Sequence, residues 1–392
     1  MHTIYQEAMA IKDQVIGWRR AIHQNPEVGM DLPNTVALVY DALQDMGYEP
    51  RRVAGGVVAY LEGDKPGKTF LLRGDMDALP MPEETDLPFA SQVSNAAHTC
   101  GHDIHTATLL GAAKILMAHK NEIKGRVKLV FQPGEEVAAG AKAMVEAGVL
   151  DNVDACMALH TLVASEIPTG TLTCAPGPNL ASTDLFRIEV TGKGCHGARP
   201  ETGVNVVNIL CHIHTLLQTI CTQEKPQQSP AVVTVGRIEA GSAPNVLPGT
   251  GFMEGTVRAF DPDVRSMIKR RIEEVAVGAA KMLRGEAKVI YSSGIPAVIC
   301  DEEVATSMLG YMKELAGEEM VCVQAPRMAS EDYAEFTMRV PGVFVRLSCG
   351  CPEEGYTVDA HNPKVVFNEE AIPVGAAAYA YGAIRWLECH PV

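Results

Sequence analysis

Positive charge is scarce in this chain: 33 Lys and Arg stand against 48 Asp and Glu in 392 residues, a formal net charge of −15. That balance argues against nucleic acid and anionic membrane surfaces as partners, because both attract basic patches. Long apolar runs are missing too. The longest uncharged stretch near the end, AIPVGAAAYAYGAI, is too short and too interrupted by Pro and Gly to span a bilayer. The first residues, MHTIYQEAMAIKDQ, show no basic start followed by an apolar run, so no secretion signal is read there. No internal repeat or low-complexity tract occurs. There is no C-x-x-C, which excludes a zinc ribbon or a thioredoxin-like site. The eleven cysteines are an odd number without a paired framework, as expected of reduced thiols in a cytoplasmic protein. Most, such as Cys211 and Cys221, are expected to be small buried hydrophobes.

What is present is globular: 47% hydrophobic and 21% charged residues, over a length that suits one large domain and one smaller one. In the first half, strand-like runs alternate with helical patterns. TFLLRGDMD (69–77), VKLVFQPGEE (127–136) and DACMALH (154–160) read as strands, with helices over 103–120 and 138–148 between them. That order predicts an α/β fold with a mostly parallel central sheet covered by helices. From about 182 the character changes. TDLFRIEVTGKG, AVVTVGRIEAG and GFMEGTVRAF alternate with period two, separated by helical patterns at 203–222 and 262–283. These predict a compact α+β unit over 182–294, inserted into a discontinuous large domain formed by 1–181 and 295–392. A long final helix is expected at about 370–388.

Chemistry concentrates where the first strands end. In an open parallel sheet, ligands bind at the carboxyl ends of the strands. One strand exits into Arg73-Gly74-Asp75-Met76-Asp77, the next into Gln132-Pro133-Gly134-Glu135-Glu136, and a third reaches Leu159-His160. Between the first two lies His98-Thr99-Cys100-Gly101-His102-Asp103-Ile104-His105. Gly101 lets the backbone fold tightly enough for Cys100 and His102 to reach one ion. A thiolate with an imidazole favours zinc or a similar transition metal over magnesium or calcium. Read alone, the cluster also fits a reactive thiol beside a His, or a helix start with incidental histidines. Adjacent residues on extended backbone point to opposite sides, so Glu135 and Glu136 can take separate roles, one toward a metal and one toward a water. Two solvated acids at a helix start are the plainer alternative. A lone His such as His160 is more often a core residue, and His361, in a polar turn, is a weak signal by itself.

Taken together, RRAIHQNPEVG, LLRGDMDALPMPEET, HTCGHDIHTA, FQPGEE, ALH, GKGCHGARP, GSAPNVLP, GTVRAF, ASEDYA and AHNP resemble the N-acyl-amino-acid amidohydrolase branch of the aminoacylase/carboxypeptidase metallopeptidases. The resemblance covers almost the whole chain. It implies a zinc-peptidase-like large domain holding two divalent transition-metal ions, zinc first, with manganese, cobalt or nickel able to use the same ligands. Cys100, His102, Glu136, His160 and His361 would be the ligands, with Cys100 between the ions. Glu135 would be the general base and Asp77 the acid that orients a ligand. The inserted unit would be a lid and dimerisation domain, in a homodimer or higher homo-oligomer. His196 would polarise the scissile carbonyl, in its own or the partner's site, and Asn245 and Arg258 would lie near the substrate carboxylate. Where the family commonly has His and Asp, this chain has Glu201 and Asn205, which bears on substrate preference and assembly. The implied reaction is hydrolysis of an N-acyl amino acid such as an N-acetyl or N-benzoyl derivative. Three rivals stand beside it: a dipeptidase or aminopeptidase of the same group, a thiol amidase with Cys100 as nucleophile, and a metal-binding protein without catalysis.

Overall fold

The computed structural model describes residues 2–391. The chain divides into two compact units. The first takes the chain up to Asn179, Ile299–Ala325, and everything from Asp332 onward; the second is Leu180–Val298 with Pro326–Glu331. The units were expected to change at 182 and 295, with nothing returning later. The short segment 326–331 joins the second unit through backbone bonds, Ala181 N–H donating to Arg327 O at 3.1 Å and Ala329 O at 2.9 Å. Pairing between positions so far apart in the chain leaves no periodic trace in the sequence.

In the first unit an eight-stranded sheet is built from β1 (Arg51–Val53), β2 (Gly56–Glu62), β3 (Lys65–Asp75), β4 (Lys124–Gln132), β5 (Ala155–Leu162), β6 (Leu172–Cys174), β7 (Val321–Val323) and β8 (Gly342–Ser348). Their order is β1-β2-β4-β3-β5-β8-β6-β7. The central four, β4, β3, β5 and β8, run parallel, while β2 and β6 pair antiparallel at the flanks. A strand covered on both faces must be apolar throughout. Accordingly β8 is buried along its length, and β5 is buried except at His160.

Helices α1 (Lys12–Gln24), α2 (His102–Ala118) and α3 (Ile372–Cys389) lie in this unit. Both α2 and α3 are almost wholly buried and rich in Ala and Gly. Small residues bring them close: a Cβ added at Gly111 would sit 3.0 Å from that of Ala376, and one at Gly375 2.8 Å from Thr108 Cγ2. The β3–β5 ladder stops at Arg73 and Ala158. There the hydroxyl of Tyr379 on α3 bridges the parting strands, donating to Arg73 O at 2.6 Å and accepting from Leu159 N–H at 2.7 Å. Beyond that bridge the strand ends separate, and Asp75 and His160 occupy the opening.

The second unit is a four-stranded antiparallel sheet, in order Ala231–Ala240, Thr250–Ala259, Thr183–Thr191 and Glu286–Ile295. Along Thr183–Thr191 the buried residues are Asp184, Phe186, Ile188 and Val190, a period of two. They meet the apolar stripes of helices Val206–Thr219 and Pro262–Met282 in one core. The strand Glu286–Ile295 has no counterpart among the segments picked out by alternation. Cys211 is exposed and Cys221 only partly buried, contrary to expectation. The helix turns Val206, Ile209, Leu210, Ile213 and Leu217 inward, which leaves Cys211 on the solvent side. Among the described residues no helix is long and apolar enough to cross a membrane.

Candidate metal centre

The site forms at the carboxyl ends of β3, β4 and β5. Gly101 adopts φ +89°, a left-handed conformation open to glycine, and starts α2 immediately after Cys100. This bend puts Cys100 and His102 beside the end of β5. The Cys100 Sγ lies 3.5 Å from His160 Nε2 and 3.4 Å from His361 Nε2. His361 Nε2 is in turn 3.4 Å from a Glu136 oxygen. His102 Nε2 stands 3.8 Å from Glu136 and 4.0 Å from Glu135. Among the triads whose ligand atoms lie within 4.8 Å of one another are Cys100 with His102 and His160, Cys100 with Glu136 and His361, His102 with Glu135 and Glu136, and Asp75 with His102 and His105. The first two share only Cys100.

The two glutamates do not sit on extended backbone, as expected, but in a turn. Gly134 takes φ +64°, and Ala138 N–H closes back on Glu135 O at 2.8 Å. Asp77 holds this turn. Its carboxylate accepts from Glu135 N–H at 3.0 Å and Glu136 N–H at 3.1 Å, and it lies 3.5 Å from His102 Nδ1. One buried acid thus aims the acidic pair and a histidine together. His361 also carries a positive φ, +62°, and its N–H donates to Thr99 O at 2.9 Å. A non-glycine residue there is held by its surroundings at a cost of order 1–3 kcal/mol, a conformation that clusters at working sites.

The donor set suits divalent transition metals, and the polar accounting asks for them. His102 is fully buried with its Nδ1 toward Asp77 at 3.5 Å, while its Nε2 and one Glu136 oxygen have no hydrogen-bond partner among the described residues. Each such orphan costs about 1–3 kcal/mol; a cation at the shared position would satisfy them. Burial also pushes the Cys100 thiol well above its usual pKa, and drives the His160 ring well below the usual imidazole value. A bound cation favours the thiolate and the neutral imidazole alike.

A buried polar network not anticipated from the sequence supports these groups. Asp75 accepts from Arg73 Nη1 at 2.7 Å and from His105 Nδ1 at 2.5 Å. Burial raises its pKa, but Arg73 and the neighbouring histidines outweigh that and keep it well below the ordinary carboxylate range. Arg73 also reaches Asp332 at 2.9 Å and Gln132 at 2.9 Å. On the other side of α2, Asp103 is held by Arg19 Nε and His23 Nδ1, each at 2.7 Å. Arg73 and Asp75, two apart on one strand, share a face, which was the one available sign of the first network.

The remaining candidates belong to the second unit. His196 is exposed on a short ribbon, Cys195–His196 paired with Val246–Leu247, and Asn245 adjoins it. Arg258 lies on Thr250–Ala259 and donates to Met328 O at 2.7 Å. Asn205 caps the helix Val206–Thr219, its side chain accepting from Asn208 N–H at 3.1 Å, a task Asp performs equally well. Glu201 is exposed, 3.8 Å from Arg199.

A mostly parallel sheet whose strand ends converge on a thiol, three imidazoles and paired carboxylates defines a metal-dependent hydrolase. The chain belongs to Peptidase family M20/M25/M40, whose sequence pattern matches residues 71–384. It is 36% identical to the N-acetyl-L-cysteine deacetylase of Bacillus subtilis, covering 96% of this chain and 89% of that one. It is 34% identical to thermostable carboxypeptidase 1 of Saccharolobus solfataricus, covering 96% of each. Among solved structures it resembles a Bacillus subtilis protein described as a dinuclear metal-binding peptidase of family M20. The TM-score is 0.84 at 32% identity, over 97% of this chain and 99% of that one.

Proposed function

We propose that the protein hydrolyses the amide bond of N-acyl amino acids at a two-metal centre held by Cys100, His102, Glu136, His160 and His361. The observation that carries this reading is the pair of triads meeting at Cys100, three side chains each, on a cluster where the buried His102 Nε2 has no hydrogen-bond partner among the described residues. When bound, the ions acidify water and polarise the scissile carbonyl. Glu135, set beside His102 by the Asp77-capped turn, takes the proton from the attacking water and passes it to the leaving nitrogen, a step typically contributing about 10²–10⁴-fold. His196 would donate to the carbonyl oxygen, and Asn245 and Arg258 would bind the substrate carboxylate. The second unit would act as lid and as the contact surface of a homodimer. Thiolate and imidazole favour zinc, with manganese, cobalt or nickel as substitutes. Eleven free thiols suit the reducing cytoplasm.

A second reading, removal of the carboxyl-terminal residue of a short peptide, is favoured by the identity to a carboxypeptidase. The two share an amide nitrogen that belongs to an amino acid with a free carboxylate. A panel of acetyl and benzoyl amino acids, dipeptides and carboxyl-blocked peptides separates them. The expected result is fastest turnover of N-acyl amino acids, abolished by a chelator and restored by divalent ions. Glu135→Gln should keep two ions per chain and lose about 10²–10⁴-fold in kcat, whereas His361→Ala should lose metal. Full activity in excess chelator would replace this reading with thiol catalysis by Cys100.

A further inference from the structure

Thr161 ties together the two chain segments that carry Cys100 and His160. It follows His160 on β5, is buried, and uses every polar group it has. Its N–H donates to His105 Nε2 at 2.8 Å, its hydroxyl donates to the backbone oxygen of Cys100 at 2.9 Å, and its carbonyl accepts from His160 Nδ1 at 2.7 Å. These bonds settle where the ring protons sit. His105 gives its Nδ1 proton to Asp75, so its Nε2 is free to accept from Thr161. His160 gives its Nδ1 proton to Thr161 O, which leaves Nε2 as a bare lone pair 3.5 Å from Cys100 Sγ. The left-handed Gly101 rests against the same hydroxyl, where an added Cβ would come within 2.5 Å of Thr161 Oγ1.

We propose that Thr161 is a positioning residue for the metal centre, its hydroxyl setting the Cys100 loop at the height on β5 where Cys100 Sγ and His160 Nε2 face one ion. The inference rests on reading Cys100 and His160 as ligands. The fold itself does not need the hydroxyl: valine has the same branched shape and suits a buried strand. What valine cannot do is donate to Cys100 O, so the loop would be free to shift and its carbonyl would lose a partner. Outer partners of this kind typically change metal affinity by about 10–100-fold.

The test compares the wild type with Thr161→Val and Thr161→Ser. Zinc affinity is measured by competition with a chromogenic chelator, and the cobalt-loaded protein is examined for its thiolate-to-cobalt charge-transfer band. Thr161→Val should lose about 10–100-fold in zinc affinity, with a weakened or shifted cobalt band. Thr161→Ser should restore both, and the metal-free Val variant should still unfold cooperatively, about 2–6 °C below the wild type for one unpartnered carbonyl. If the Val variant does not fold, Thr161→Ala takes its place with the same expected losses. Wild-type affinity and spectrum in the variant lacking the hydroxyl would overturn the inference, as would an equal loss in Thr161→Ser. Failure of the underlying reading is seen separately: the wild type would then show no thiolate band with cobalt, or Cys100→Ser would leave it unchanged.

Discussion

Arg19→Met tests how much the buried charge pair packed behind the candidate metal centre contributes to the stability of the first unit. Arg19 donates to Asp103 at 2.7 Å, and both side chains are essentially solvent-free, 1% and 0% exposed. Asp103 is the second residue of α2, next to His102, and its second oxygen has no partner among the described residues. Removing the guanidinium therefore leaves a buried carboxylate supported on that side by His23, 2.7 Å away. Breaking a buried pair from one side costs about 3–5 kcal/mol, because the surviving charge is uncompensated. A domain of this size loses roughly 2 °C in Tm per kcal/mol, so the first unit should melt about 6–10 °C lower. Measurement in excess chelator removes any contribution from bound metal. Adding Asp103→Asn to Arg19→Met should recover part of the loss, since the orphaned charge is then gone. A single variant melting within about 2 °C of the wild type would refute the reasoning, as would a double variant worse than the sum of the singles.

Gly101→Ala should cost about 1–2 kcal/mol from the left-handed backbone alone, plus the contact with Thr161 Oγ1. Calorimetric titration should show weakened binding of divalent ions; unchanged affinity would mean that the loop does not depend on this conformation. In the second unit, buried Asp184 accepts from Arg265 at 2.6 Å and Lys269 at 2.9 Å. Burial pushes its pKa up, but these bonds prevail and hold it below the usual value. The stabilisation is thus present above the unfolded pKa of about 3.9 and is lost as pH falls through the lower folded one. Asp184→Asn should cost about 1–3 kcal/mol at pH 7 in urea unfolding, and the gap to wild type should shrink below about pH 4. A gap that stays constant from pH 7 to pH 3 would show that the ion pairs contribute nothing.

The layers of the first unit were legible because their cause is local. The apolar runs of β3, β4 and β5 and the helical spacing of α2 and α3 are periodicities of neighbouring residues, and burial on both faces left the strands continuously hydrophobic. Candidate ligands were legible for a related reason: parallel strands deliver their carboxyl ends to one edge, so acids and histidines just past three strands must fall near one another. The order of residues also carried Gly101 between Cys100 and His102. Less was visible of what holds these groups. The turn at Glu135-Glu136, capped by Asp77 from 58 positions away, replaced the extended backbone that local reading suggested. Arg73 with Asp332, Arg19 with Asp103, and Thr161 with Cys100 are partnerships between distant residues. Each requires the desolvation of a polar group that only its tertiary partner can offset. Local chemistry along the chain therefore determined which elements form and which side chains can bind metal. Three-dimensional packing alone decided their orientation, their protonated nitrogens and their mutual distances, because those depend on hydrogen bonds and burial that exist only once the chain has closed on itself.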